Sequence, residues 1–155
     1  MIKRAMFPGS FDPITRGHEN IIRRALPIFD EIVIAVGINI EKKGYFPVEE
    51  RVKWITDVFA GEPKIKVLSY SGLTVDFCKK ISADFLLRGL RTSADFEFER
   101  TVGQVNKKLN PDVETVFLLS NPEFTSINSS IVRDVYKNGG DVSSFIPESI
   151  SLPKI

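Results

Sequence analysis

The sequence predicts an α/β fold in which helices sandwich a doubly wound, five-stranded parallel sheet. Five short apolar runs have the length of strands, and each is nearly continuous in hydrophobicity, as expected of strands covered on both faces. Segments with apolar residues at helical spacing lie between these runs. Because parallel neighbours need a crossover connection and a helix supplies it, this alternation favours a parallel sheet.

The amino-terminal half alternates strand and helix twice. The run Lys3–Phe7 predicts the first strand, which the Pro8-Gly9 turn ends. A helix with one buried stripe follows, formed by Ile21, Ile22, Ala25, Leu26 and Phe29. The run Ile32–Val36 predicts the second strand. The stripe of the second helix is formed by Val52, Ile55, Val58 and Phe59.

The carboxyl-terminal half continues the pattern with three more strands. They are predicted at Ile65–Tyr70, Phe85–Arg88 and Thr115–Leu119. Three further helices carry the stripes Thr74, Phe77, Cys78 and Ile81; Phe98, Val102, Val105 and Leu109; and Ile131, Val132, Val135 and Tyr136. We expect the tail Pro147–Ile155 to form a short helix or an irregular arm.

Length and composition favour one domain over residues 1–155. The chain has 155 residues, is 43% hydrophobic and carries a formal net charge of +1, so we expect neither a nucleic acid nor a membrane partner. Its longest strongly apolar run, Ile32–Val36, is far shorter than the roughly 20 residues that span a bilayer. The single cysteine, Cys78, and the lack of a secretory signal favour a cytoplasmic location.

Several nucleotide-binding and hydrolytic motifs are absent from the sequence. There is no Gly-x-x-x-x-Gly-Lys-Ser/Thr loop, and Gly9 and Gly17 do not form a Gly-x-Gly-x-x-Gly fingerprint. His18 is the only histidine and no Gly-x-Ser-x-Gly elbow is present, which disfavours a hydrolytic triad. No cysteines or histidines have zinc spacing, and no metal ligands are predicted in the chain.

Ligands of doubly wound sheets bind outside the carboxyl ends of the strands, so residues that follow the strands are the first candidates. The turn Gly9–His18 follows the first strand. Glycine allows close backbone approach, and His18 opens a helix whose N-terminal N–H groups favour an anion. His18 can donate a hydrogen bond to a phosphate there, or it can simply cap the helix. Both interpretations stay open.

Cations follow two other predicted strands. Lys42 lies in a polar loop after the second strand, where a solvated surface charge is the simpler interpretation. Arg88 and Arg91 flank Gly89-Leu90 after the fourth strand and suit forked hydrogen bonds to phosphate. An ion pair between Arg91 and an acid of the next helix is an equal alternative.

Two groups of polar residues have ordinary structural interpretations. The acidic side chains of the fourth helix are interpreted as a solvated face: Asp95, Glu97 and Glu99. Asn128, Ser129 and Ser130 precede the last helix and predict an N-cap. Capping and phosphate binding are compatible at one helix N-terminus.

Three segments together resemble the bacterial phosphopantetheine adenylyltransferases, which belong to the nucleotidyltransferase superfamily with a Thr/His-x-Gly-His element. They are Gly9–His18, Arg88–Arg91 and Ile127–Arg133. The likeness extends over about the whole chain, and the Arg-Gly-Leu-Arg and Ala-Asp-Phe-Glu stretches make it specific. The resemblance implies a Rossmann-like version of the predicted fold and an adenylyltransferase activity.

The family's reaction is the reversible transfer of AMP from ATP to 4'-phosphopantetheine, giving 3'-dephospho-coenzyme A and pyrophosphate in coenzyme A biosynthesis. By resemblance, the catalytic residues are His18, Lys42 and Arg91. The implied ATP site comprises Ser10, Phe11, His18, Gly89, Leu90, Arg91, Glu99, Phe124, Thr125, Ser126, Ile127, Asn128, Ser129 and Ser130. The implied phosphopantetheine site comprises Ser10, Lys42, Thr74 and Arg88.

The implied chemistry needs no general base. A phosphate monoester is already anionic near neutral pH, so its in-line attack depends on positioning and on charge stabilisation. Mg²⁺ is expected with ATP, held mostly by the nucleotide and water. The resemblance also implies a homohexamer and coenzyme A as a feedback ligand.

The chain departs from some relatives at three positions. Thr74 stands where some carry Met, Gly72 replaces an acid, and Asn128 interrupts a serine run. Two rival functions stay open. One is another adenylyl- or cytidylyltransferase, acting on nicotinate mononucleotide or a phosphorylated alcohol. The other is a catalytically silent nucleotide-binding or assembly protein on the same fold.

Overall fold

A computed structural model describes residues 1–155 and confirms the α/β fold. Five strands form one sheet in the order β3-β2-β1-β4-β5, and every neighbouring pair is parallel. The strands are β1 (Arg4–Gly9), β2 (Glu31–Gly37), β3 (Ile65–Tyr70), β4 (Phe85–Leu90) and β5 (Glu114–Leu119). The chain winds outward from β1 in both directions, so the strand order reverses between β1 and β4.

Each predicted helix is present. The helices are α1 (Arg16–Ala25), α2 (Val48–Val58), α3 (Thr74–Lys80), α4 (Ser93–Leu109) and α5 (Ser129–Lys137), and a short 3₁₀ helix covers Pro122–Phe124. None of them is long and apolar enough to cross a membrane. The tail after Pro147 is an irregular arm, and Ile150 anchors it by packing into the core.

The central strands are buried on both faces, as their continuous hydrophobicity predicts. Phe7 and Ile34 point to one face, where 21 buried residues form the larger core with α1, α2 and α5. Met6 and Ala35 alternate to the other face and pack in a cluster of seven with Cys78 of α3. This two-sided core fixes the carboxyl ends of β1, β2 and β4 relative to one another.

Two expectations about burial are wrong. The edge strands β3 and β5 are not covered on both faces, and the side chains of Leu68 and Leu119 are exposed. An edge strand has a neighbour on one side only, so less of it lies beneath helices. The apolar stripe of α4 is also exposed rather than buried: Phe98, Val102, Val105 and Leu109. Helical spacing shows that an apolar face exists, but not that the same chain covers it.

Candidate active site

Two adjoining cavities open at the carboxyl edge of the sheet, where the strand order reverses. The smaller has a volume of about 270 Å³ and lies between the β1–α1 turn, the end of β4 and the start of α5. The larger has a volume of about 680 Å³ and extends past the ends of β2 and β3 to α4. Both cavities are lined by Pro8, Gly9, Ser10, Arg88 and Glu99. Ligands in the two cavities would therefore meet at this shared wall.

The start of α1 is fixed by a capping box between Thr15 and His18. The backbone N–H of His18 donates to Thr15 Oγ1 at 3.3 Å, and the N–H of Thr15 donates to His18 Nδ1 at 3.0 Å. The capping interpretation of His18 is thus confirmed. The same side chain lines the smaller cavity, so its capping contact leaves the rest of the ring available to a ligand.

His18 is neutral near pH 7 in this environment. Burial, with a smaller effect from the charges of Arg88 and Arg91, lowers its pKa to about 4. Because Nδ1 accepts a hydrogen bond from the Thr15 N–H, the proton of the neutral ring lies on Nε2. The ring also packs edge-on against Phe11, with centroids 5.0 Å apart. His18 is therefore a rigidly held neutral donor.

Arg88 is held at the shared wall by Glu99. Its Nε and Nη2 donate to the two carboxylate oxygens at 2.9 and 2.7 Å, and its Nη1 donates to the Pro8 carbonyl at 2.6 Å. The Glu99 side chain is buried, so its interpretation as part of a solvated face is wrong, whereas Glu97 is exposed. A fixed guanidinium can receive a phosphate without losing further side-chain freedom.

Arg91 forms the ion pair that was the alternative to a phosphate contact. Its Nε donates at 3.0 Å to Oδ2 of Asp95, in the first turn of α4, and its Nη1 donates to the Ile127 carbonyl at 3.3 Å. About a third of the side chain is exposed, and it lines the smaller cavity. The pair fixes the guanidinium while leaving part of it open to a ligand.

The start of α5 closes the smaller cavity. The Asn128 side chain accepts the N–H of Ile131 at 2.9 Å, which confirms the predicted cap, and Ser129 Oγ donates to the Pro13 carbonyl at 2.8 Å. Ser129 therefore ties α5 to the β1–α1 turn. The cavity residues of this region are Phe124, Ile127, Asn128 and Ser129, whereas Thr125, Ser126 and Ser130 do not line it.

Of the two predicted phosphopantetheine residues that remain, Thr74 and Lys42, only one lines the larger cavity. Thr74 lines it, and its hydroxyl lies 3.0 Å from that of Tyr70, also in the lining. Lys42 is exposed and lines neither cavity, although its neighbour Glu41 lines the larger one. Leu90 is buried and also lies outside both linings.

The sequence analysis did not predict a role for two buried charged residues at this edge of the sheet. Asp12 and Arg51 are each only 6% exposed and bind the backbone on both sides of the site. A signal was available for Arg51, because it shares the helical spacing of the buried Ile55 and Val58. No group of three or more His, Cys, Asp or Glu side chains in the chain could hold a metal ion.

Comparisons with known proteins agree with the geometry. The cytidylyltransferase-like family model matches residues 6–135. A phosphopantetheine adenylyltransferase from Flavobacterium psychrophilum is 53% identical over 97% of this chain and 99% of the relative. One from Phocaeicola vulgatus is 47% identical over 97% and 99%.

A solved structure of a bifunctional NMN adenylyltransferase/ADP ribose pyrophosphatase from Francisella tularensis shares the fold. Its TM-score is 0.71 at 17% identity, over 97% of this chain and 46% of that chain. The Rossmann-like fold and the family resemblance of the sequence are thereby confirmed. The chain belongs to the phosphopantetheine adenylyltransferase family, and it is an adenylyltransferase.

Proposed function

We propose that the protein transfers AMP reversibly from ATP to 4'-phosphopantetheine, giving 3'-dephospho-coenzyme A and pyrophosphate. One observation carries the proposal: two cavities of different size share a wall that contains Ser10 and the fixed Arg88 guanidinium. A transfer between two substrates requires such a meeting point. The names of the curated relatives supply the substrate class.

The smaller cavity is assigned to ATP and the larger to phosphopantetheine. The smaller one combines two helix N-termini with His18 and Arg91, a setting that favours a polyphosphate. The larger one extends to Tyr70 and Thr74, whose hydroxyls suit the amides of a pantetheine arm. Lys42 is assigned to the phosphopantetheine phosphate, since the loop that carries it borders this cavity.

The reaction forms a bond between a 4'-phosphate oxygen and the α-phosphorus while the bond to pyrophosphate breaks. The attacking oxygen is already anionic, so no residue has to remove a proton. The Nε2–H of neutral His18 donates to the α-phosphate, where negative charge increases in the transition state. Arg91 and Lys42 add positive charge near the transferred group.

Mg²⁺ is proposed to enter with ATP as part of the substrate. The two carboxylates of the smaller cavity are engaged, Glu99 with Arg88 and Asp95 with Arg91, so phosphate and water oxygens are the available ligands there. A cation bound there would neutralise charge on the polyphosphate during transfer.

We further propose a homohexamer in the cytoplasm, with coenzyme A as a feedback ligand. The exposed apolar stripe of α4 supports self-association, because soluble monomers rarely expose a contiguous apolar patch of this kind. Cys78 is unpaired and buried, which suits a reducing compartment. Coenzyme A contains the pantetheine arm of the substrate, so the larger cavity is its proposed site.

One assay tests the proposed reaction. Pyrophosphate release from MgATP is measured with 4'-phosphopantetheine, with nicotinate mononucleotide, or with no second substrate. We expect release with the first alone. Release with nicotinate mononucleotide instead would assign the chain to the rival activity, and release with none of them would remove the proposal.

A further inference from the structure

A buried ion pair links the two sides of the active-site edge. Asp12 lies in the β1–α1 turn and Arg51 lies in the first turns of α2, with Arg51 Nε 4.0 Å from Asp12 Oδ1. Both side chains are more than 90% buried. A buried pair of this kind gives little net stability over apolar residues of the same size, so its hydrogen bonds are the more informative feature.

Every hydrogen bond made by the side chains of the pair ends on backbone. The Asp12 carboxylate accepts the N–H groups of Tyr45 and Phe46 at 2.7 and 2.9 Å. Arg51 Nε donates to the Phe46 carbonyl at 3.0 Å, and its Nη1 donates to the Ser10 carbonyl at 2.7 Å. The pair thus bridges the Ser10 peptide to the end of the loop Ile38–Phe46.

The loop Ile38–Phe46 is hydrogen-bonded to the rest of the chain at its two ends, whereas the hydrogen bonds of Glu41 and Lys42 go to Asn39 within the loop. At its start the N–H of Ile38 donates to the Tyr70 carbonyl at 2.7 Å. Its end is held by Asp12 and Arg51 through Tyr45 and Phe46, which lie three and four residues after Lys42. The backbone of Gly44 packs against the pair, and a Cβ there would lie 2.9 Å from Arg51 Nη2 and 3.2 Å from Asp12 Oδ2.

We infer that Asp12 and Arg51 are positioning residues for adenylyl transfer, holding the Ser10 peptide and the Lys42 loop at a fixed separation. This inference rests on the proposed function, in which Ser10 borders both substrates and Lys42 holds the acceptor phosphate. A reacting geometry that is loosened by about 1 Å loses on the order of a hundredfold in rate. The pair therefore governs catalysis without touching substrate.

Arg51→Lys is the first test. Lysine keeps the charge, but a single ammonium cannot reproduce the forked bonds to Phe46 and Ser10. We expect kcat/KM to fall by about tenfold or more, with higher KM values for both ATP and phosphopantetheine. Partial unfolding alone would lower the apparent kcat and leave both KM values unchanged. A rise in both KM values therefore indicates lost positioning rather than lost stability.

Arg4→Lys is the matched control. Arg4 also combines a carboxylate, Glu31, with backbone carbonyls, those of Ile81 and Ser82, but at the opposite end of β1. The Arg4→Lys variant should lose stability, while its kinetic constants stay within about twofold of wild type because Arg4 lies far from the cavities. Both variants are assayed below the onset of thermal unfolding.

Gly44→Ala supplies a second variant that keeps both charges. Its methyl group would displace the Arg51 guanidinium, so we expect the same rise in both KM values. The double variant Gly44→Ala/Arg51→Lys should add little to either single change, since both act through one pair. If Arg51→Lys does not fold, Gly44→Ala decides the question.

MgATP affinity, measured by calorimetry, tests the pair independently of the second substrate. Arg51→Lys and Gly44→Ala should weaken it, and Arg4→Lys should not. Wild-type kinetic constants and wild-type MgATP affinity in both site variants would overturn the inference, as would an equal kinetic loss in Arg4→Lys. A wild-type protein without activity toward phosphopantetheine would instead overturn the proposed function, leaving the affinity comparison to judge the pair.

Discussion

At the residue scale, His18 presents a proton on Nε2 because the Thr15 N–H occupies the lone pair of Nδ1. The low pKa keeps this donor neutral, so it needs no compensating anion before substrate arrives. The position of His18 at a helix start is readable from the sequence. Its tautomer is not, since it depends on one hydrogen bond.

His18→Ala should lower kcat by about 10² to 10³ with only a modest change in either KM, because its hydrogen bond is strongest in the transition state. Steady-state kinetics with both substrates measures this. Since the substitution also removes half of the α1 capping box, folding is checked by circular dichroism. An unchanged kcat would rule out the proposed role.

The depressed pKa of His18 also predicts how stability varies with pH. Its pKa is about 4 in the folded chain and 6.5 ordinarily, so the unfolded chain binds more protons between these values. The free energy of unfolding should therefore rise from pH 4 to pH 6.5. The contribution of neutral His18 to stability is complete above pH 6.5 and is lost as the pH falls toward 4. Urea unfolding at pH 5 and pH 7 measures the difference. His18→Asn should reduce it, and an identical difference in the variant would contradict the assignment.

Arg88→Ala should raise the KM for phosphopantetheine by about tenfold or more, as a hydrogen bond to a charged group contributes about 2 kcal/mol. It also leaves the Glu99 carboxylate buried without its partner, so stability should fall. The double variant Arg88→Ala/Glu99→Gln separates the effects by recovering stability but not KM. A rise confined to the KM for ATP would reverse the assignment of the two cavities.

Part of the site is predictable from residue type and position. His18, Arg88 and Arg91, which line the smaller cavity, were predicted because cations and a helix start lie at or after the ends of predicted strands. Asp12 and Arg51 were not, because a charged residue is assigned to the surface unless its partner is known. Asp12 and Arg51 are 39 positions apart in the chain, so only the fold brings them together.

At the element scale, the distance between β4 and α1 depends on Gly89. A Cβ at this position would lie 3.1 Å from Ile21 Cγ1, a tighter contact than side chains ordinarily make, so an added methyl group would press Ile21 and α1 away from the strand. Gly89→Ala should destabilise the fold by about 1–3 kcal/mol and lower kcat, because α1 carries His18. Denaturant unfolding and kinetics measure both. Adding Ile21→Ala should recover part of the kcat, and no recovery would show that the clash is not the cause.

The elements themselves were largely predictable, and their ends less so. The strand Ile65–Tyr70 was predicted with its observed bounds. Strand β4 instead continues past its predicted end at Arg88 to Leu90, so Gly89 and Leu90 lie within it rather than after it. Glycine and arginine are poor indicators of a strand, but pairing with Phe117 and Leu118 of β5 extends it.

At the scale of the whole molecule, the exposed face of α4 predicts how copies assemble. Val105 is half exposed in the single chain, so Val105→Glu should leave its fold intact while disrupting a proposed apolar interface. Sedimentation equilibrium should show a hexamer for wild type and smaller species for the variant. Gln104→Glu, an adjacent exposed position, introduces the same side chain as a control. A hexameric Val105→Glu protein would place the interface elsewhere.

The wall shared by the two cavities has a consequence for inhibitor design. Because Gly9, Ser10 and Arg88 border both spaces, fragments bound in the two cavities would contact the same three residues. Joining an adenosine fragment to a pantetheine-like fragment makes the second contact intramolecular, which raises affinity by about 10² to 10⁴ over either fragment when the linker fits. A linker that places an anionic oxygen between Arg88 and His18 would reproduce the charge that these residues are proposed to stabilise during transfer.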